Sequence, residues 1–231
     1  MKKKLAFIIT LILALTMLPS CSNQEKEAVQ KVADGFMSSL ESGDFSETTQ
    51  YSTDEVRNQI SIRELENLSG VFYESIGLKK KDLSKKTRES VDNFSKKMKE
   101  DFITEYKIGD IEIKDKNKKA TVQVNVTYGY NPDKLADINV DSELEKIADT
   151  YMTKHKDSLT DLYVSKGSKA LQKKVYSDIL PDVLKAYSKK VEATGTAKQE
   201  LQLTLKKQDD DSWIIDGAYV SGDASSKDSE K

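Results

Sequence analysis

The sequence predicts an α+β fold: N-terminal helices packed on a curved antiparallel sheet of two hairpins, with a long helical insertion between the hairpins. Three observations predict it. Apolar residues recur at three- and four-residue spacing from Val29 to Leu40 and again between Ile62 and Phe102. Ala120, Val122, Val124, Val126, Tyr128 and Tyr130 then alternate with Thr121, Gln123, Asn125, Thr127 and Gly129, the pattern of a half-buried strand. Period two returns only after residue 196, beyond a stretch of helical spacing over about 131–195. Segregated elements of this kind argue for α+β rather than α/β.

The chain opens on a positively charged segment, Lys2 to Lys4, and an apolar run from Leu5 to Leu18 that is too short for an ordinary transmembrane span. The following Leu18-Pro19-Ser20-Cys21 resembles the lipobox of bacterial lipoproteins. That resemblance implies a diacylglyceryl thioether on Cys21, palmitate-type acylation and cleavage before the cysteine. Two acyl chains matter because each buried methylene contributes roughly 0.8 kcal/mol and one chain alone anchors only marginally. The expected organisation is a signal peptide over 1–20, a lipidated leash over 21–25, a single α+β domain over 26–220 and a disordered tail over 221–231. The expected location is the outer face of the cell membrane, held through Cys21.

Composition narrows the function. Formal net charge is −2 over 231 residues, a balance that argues against nucleic-acid binding. Cys21 is the only cysteine, so an exported domain is held by burial alone, without disulfides. His155 is the only histidine, which excludes a His/Cys metal cluster and leaves carboxylate-only calcium binding open. No cofactor is expected.

In chain order, Val29, Val32, Phe36 and Leu40 form one helix face, and Gly43 stops the helix. Ser42-Gly43-Asp44-Phe45 turns the chain into a short second helical stretch. Ser52 to Glu55 and Ser61 to Glu64 fit the capping-box pattern. Ile62, Leu65, Leu68, Phe72 and Ile76 make one stripe, and Val91, Phe94, Met98 and Phe102 another. The first strand, 106–115, changes parity between Ile108 and Ile111, which predicts a bulge at Gly109-Asp110. In the insertion, the first helix carries Leu144, Ile147, Tyr151, His155, Leu159 and Leu162 and ends near Gly167. The second carries Leu171, Val175, Ile179, Val183, Tyr187 and Val191, with a kink or split expected at Pro181. The pair is expected to cover its apolar faces on the sheet or at a pocket mouth. The last strand puts Trp213, Ile215 and Tyr219 on one face.

The first helix with Glu41-Ser42-Gly43-Asp44-Phe45, the alternating hairpin, and Asp210-Asp211-Ser212-Trp213-Ile214-Ile215-Asp216 together resemble the cystatin-like, nuclear-transport-factor-two-like superfamily. More narrowly, they resemble lipoproteins of unknown function from low-GC Gram-positive bacteria that carry such a domain. The resemblance implies a helix on a curved sheet enclosing an apolar pocket. It also implies either binding without chemistry or isomerase-type catalysis by a pocket carboxylate or tyrosine. The insertion of about 65 residues departs from that pattern.

The candidate pocket or partner face is Trp213, Tyr219, Tyr128, Tyr130, Tyr151 and His155. His155 reads as a general base near neutral pH or as a packed boundary residue. The basic stretch from Lys79 to Lys99 reads as a contact for anionic headgroups or wall polymer, or as a solvated face. Asp209-Asp210-Asp211 lacks the ligand spacing of a calcium loop and reads as a polar turn. The resulting expectation is a membrane-tethered, non-catalytic module that binds a small apolar ligand or an envelope protein. Isomerase-type chemistry and a structural envelope role are the alternatives.

Overall fold

The computed structural model describes residues 20–221. Residues 1–19, within the expected signal peptide, and residues 222–231, within the expected tail, lie outside the described residues. The fold is α+β with a four-stranded antiparallel sheet. Within the stretch read as one domain, the described residues group into two compact units, each discontinuous in sequence. A sheet unit takes residues 20–62, 105–126 and 199–221, and a helical unit takes 63–104 and 127–198.

The sheet unit begins with α1, Ser20–Glu41. Residues 22–25 are therefore its first turns and not a leash, because Glu25 gains partners on the sheet. Val29, Ala33, Phe36, Met37 and Leu40 repeat at helical spacing and are fully buried. Gly35 interrupts this helix for a reason: a Cβ there would lie 2.5 Å from the ring of Tyr51. A 3₁₀ turn over Phe45–Gln50 and the short α2, Asp54–Gln59, follow. The cap of α2 is Thr53, whose side chain accepts from Val56 N–H, rather than Ser52. Ser52 instead donates to the carbonyl of Thr48 and is buried.

Strands β1 (Glu105–Lys114), β2 (Lys119–Tyr128), β3 (Ala197–Lys207) and β4 (Trp213–Val220) lie in the order β1-β2-β3-β4. Burial along β1 slips by one residue at Gly109–Asp110, where the sequence parity changes. A Cβ on Gly109 would sit 3.1 Å from the Gln123 carbonyl oxygen, so glycine allows the close approach of the two strands. A second slip falls in β4. Thr204 pairs with Gly217 and Leu205 with Ile215, which leaves Asp216 extra. Trp213 and Ile215 are buried together as expected, but the bulge turns Tyr219 off their face and buries Ala218 instead. The outer edge of β4 is occupied: Thr53 N–H donates to the Ile215 carbonyl at 3.0 Å, and Ile215 N–H donates to that of Tyr51 at 2.9 Å.

The helical unit contains α3 (Ile62–Glu66, with Ile62 on the sheet side of the boundary), α4 (Leu68–Ser75) and α5 (Lys85–Glu100). The single stripe read over 62–76 is broken at Asn67 into α3 and α4. α6 spans Asp141–Lys154 and α7 Lys156–Ala193. The insertion breaks at His155, about three turns before the end expected near Gly167, and again at Gly167 (φ 78°, ψ 179°), a conformation that essentially only glycine holds. Pro181 does not split the helix. The cover that the sequence reading sought in the sheet is supplied by α4 and α5: Leu180 and Leu184 are buried with Tyr73, Leu83 and Val91. A second cluster joins Met98, Tyr130 and Val191.

Candidate functional site

Four of the six predicted pocket residues are structural. Trp213 is 6 % exposed, Tyr128 6 % and Tyr130 3 %. Trp213 faces the core of the sheet unit, and its indole N–H donates to Glu25 Oε2 at 2.9 Å. Tyr128 stacks edge-on against Phe102, with ring centres 5.7 Å apart, and Tyr130 fills the cluster with Met98 and Val191. Tyr219 covers Gly217, where its ring lies 2.7 Å from the position a Cβ would take. Tyr130 borders only a small cleft of about 20 Å³, with Phe94 and Met98.

Tyr151 and His155 are brought together. They are one turn apart at the end of α6, and their ring centres are 4.6 Å apart. The Tyr151 hydroxyl donates to Asp178 Oδ2 at 2.5 Å, and Lys174 Nζ lies 2.7 Å from the same oxygen. Tyr151, His155 and Asp178 border a cleft of about 390 Å³ between α6 and α7, with Ile147, Ile179 and Asp182. Burial pushes the Asp178 carboxyl up, but the Lys174 ammonium and the Tyr151 hydroxyl more than reverse this, so it sits below the ordinary carboxylate range. Burial, then the hydrogen bond to Asp178 and its charge, push the Tyr151 hydroxyl well above its ordinary value. The pair is thus locked as phenol and carboxylate at neutral pH.

A larger cleft of about 520 Å³ lies on the other side of the α6–α7 junction. Met152, Leu159, Tyr163 and Leu171 line it, with Lys156 at its rim. The break at Gly167 lets Leu171 face the same cleft as Leu159, because a straight helix would carry the chain past it. Sequence reasoning missed Asp178 and this cleft. The i,i+4 spacing of Lys174 and Asp178 is readable, but Tyr151 is 27 residues from Asp178 and meets it only once the helices close.

In the basic stretch from Lys79 to Lys99, four of the nine basic residues are paired. Lys80 meets Asp92 at 2.9 Å, Lys97 meets Asp101 at 2.8 Å, and Lys85 and Lys96 meet Glu89 and Glu100 one turn on. It reads as a solvated helix face stitched by its own acids. Among the described residues, no group of His, Cys, Asp or Glu is placed to hold a metal ion, and no helix is long and apolar enough to cross a membrane. No family model, curated protein or solved structure matches the chain.

Proposed function

We propose that this chain is a lipoprotein held on the outer face of the cell membrane through Cys21, and that it works as a non-catalytic binding module. The lipobox-like order of charge, apolar run and cysteine supports the anchor. The helix-on-sheet arrangement of the sheet unit supports the cystatin-like reading. The site is the cleft lined by Met152, Leu159, Tyr163 and Leu171, which suits an apolar ligand or an apolar segment of an envelope protein.

One observation carries the assignment of the site. Of six large apolar side chains exposed among the described residues, four lie on the insertion: Leu144, Met152, Tyr163 and Val164. Two of them, Met152 from α6 and Tyr163 from α7, line the cleft together, and apolar surface left in water around a concavity marks a binding site. Native mass spectrometry of the protein, extracted from membranes in mild detergent, tests this. The wild type is expected to carry a bound species that Tyr163→Glu with Val164→Glu loses at unchanged thermal stability. A bare wild-type mass, or equal occupancy in the double variant, rejects the site.

A second reading, an isomerase-type enzyme, draws on Tyr151 and Asp178. Their protonation states weigh against it, since a general acid or base works best with a pKa near the operating pH. Asp178 is held low and Tyr151 high.

A further inference from the structure

We infer that the end of the sheet unit that carries both hairpin turns is the face set against the phospholipid headgroups. The inference rests on the lipid anchor at Cys21, and adds to it an orientation and a contact surface.

The geometry starts from α1. Cys21 and Glu25 are four residues apart on one helix, about 6 Å along its axis. Glu25 is fixed to the sheet at two points. Its Oε1 accepts from Lys207 Nζ at 2.7 Å, and its Oε2 from the Trp213 indole at 2.9 Å. Lys207 closes β3 and Trp213 opens β4, so the turn over 208–212 lies beside the start of α1. Lys207 N–H also donates to the Lys118 carbonyl at 2.9 Å, which brings the turn over 115–118 to the same end. The anchor residue and both turns therefore share one end of the sheet. Glu200, seven residues back along β3, is about 23 Å away at the other end.

The chemistry of this end suits a headgroup layer rather than an acyl interior. Lys116, Lys118, Lys119 and Lys206 are exposed there. Of the four acids in the two turns, three are engaged locally, and Asp209 is exposed without an ion pair among the described residues. Asp115 meets Lys119 at 3.3 Å and Asp211 meets Lys207 at 3.3 Å. Asp210 accepts from the N–H and hydroxyl of Ser212. None of the large apolar side chains exposed among the described residues belongs to either turn, so nothing at this end favours deeper insertion. Exposed ammonium groups at the end of the sheet that carries the anchor meet lipid phosphates as a consequence of tethering.

The test uses the full lipidated protein, reconstituted in phosphatidylglycerol–phosphatidylethanolamine vesicles that carry a headgroup-attached quencher. Cys21 is the only natural cysteine, and its thioether does not react with thiol labels. Lys118→Cys and Glu200→Cys, each labelled with one fluorophore, report the two ends of the sheet. Lys118→Cys is expected to be quenched several-fold more than Glu200→Cys. Equal quenching, or stronger quenching at position 200, in protein that floats with the vesicles overturns the orientation while leaving the anchor intact. Protein that fails to float and carries an unmodified Cys21 removes the anchor, and the orientation with it.

Discussion

The hydroxyl of Thr87 on α5 donates to the carbonyl of Ser177 on α7, the acceptor that Pro181 leaves without its helical partner. Proline has no N–H, so the carbonyl four residues before it is orphaned, and the neighbouring α5 supplies the missing donor. Thr87 is fully buried, and the Ser177 hydroxyl accepts in turn from Ser84 N–H at 3.1 Å. The contact thus ties the start of α5 to the middle of α7.

Thr87→Val is therefore expected to destabilise the helical unit by about 1–3 kcal/mol, the cost of a buried carbonyl left unpaired. The same substitution should cost clearly less when Pro181→Ala is also present, since alanine restores the helical donor. Urea unfolding of the double-mutant cycle measures this coupling. Additive losses would show that the Thr87 bond does not answer Pro181.

Glu25 should be one source of acid sensitivity in the sheet unit. The hydrogen bonds from Lys207 and Trp213 hold its carboxyl below the ordinary carboxylate range, against the opposing effect of burial. A depressed folded-state pKa contributes stability that is present above the unfolded value and lost as pH falls through the folded one. Glu25→Gln is expected to lower stability at neutral pH and to flatten this part of the acid limb. Denaturation midpoints of both proteins from neutral to acidic pH check it.

At the alkaline end the sign reverses. Burial pushes the Tyr128 hydroxyl up to about 12, and burial with the Asp34 carboxylate, 2.8 Å away, does the same to Tyr106. The folded state holds both as neutral phenols. Their contribution is complete below the ordinary tyrosine value near 10 and is lost as pH rises towards 12. Tyrosinate absorbance should therefore rise later in native protein than in urea, and Tyr106→Phe should remove part of the delay.

Trp213→Ala should cost on the order of 3–5 kcal/mol, the usual loss for a large aromatic removed from a core. Because Trp213 is the only tryptophan, its emission reports this site alone, and a maximum typical of full exposure would contradict its burial.

Much of the fold is legible in the sequence because local period maps directly onto burial. The alternation over 119–128 gives β2, Val29 to Leu40 gives the buried face of α1, and the parity change at Gly109 marks the slip in β1. The misplacements share one cause. Each depends on a partner distant in sequence: the extra Asp216 is set by pairing with β3, and the donor that Pro181 lacks comes from Thr87. The site was less legible still. Aromatic residues look alike in sequence whether they fill a core, as Tyr128 and Tyr130 do, or border a cleft, as Tyr151 does. Only tertiary packing separates them: Phe102 and Met98 close over Tyr128 and Tyr130, whereas Tyr151 meets Asp178 beside a cleft.

The discontinuity of the two units has a consequence for synthesis. Every described residue of the helical unit has been made once the ribosome passes residue 198, whereas the sheet unit then still lacks β4 and nearly all of β3. Glu25 waits 188 residues for Trp213, so α1, which meets β1 much earlier, gains its contacts with β4 only when translation is nearly done. Chains stopped just before Trp213 should accordingly be cleaved by protease within 20–62 while 127–198 resists, and a holding chaperone should engage the first of these segments rather than the second.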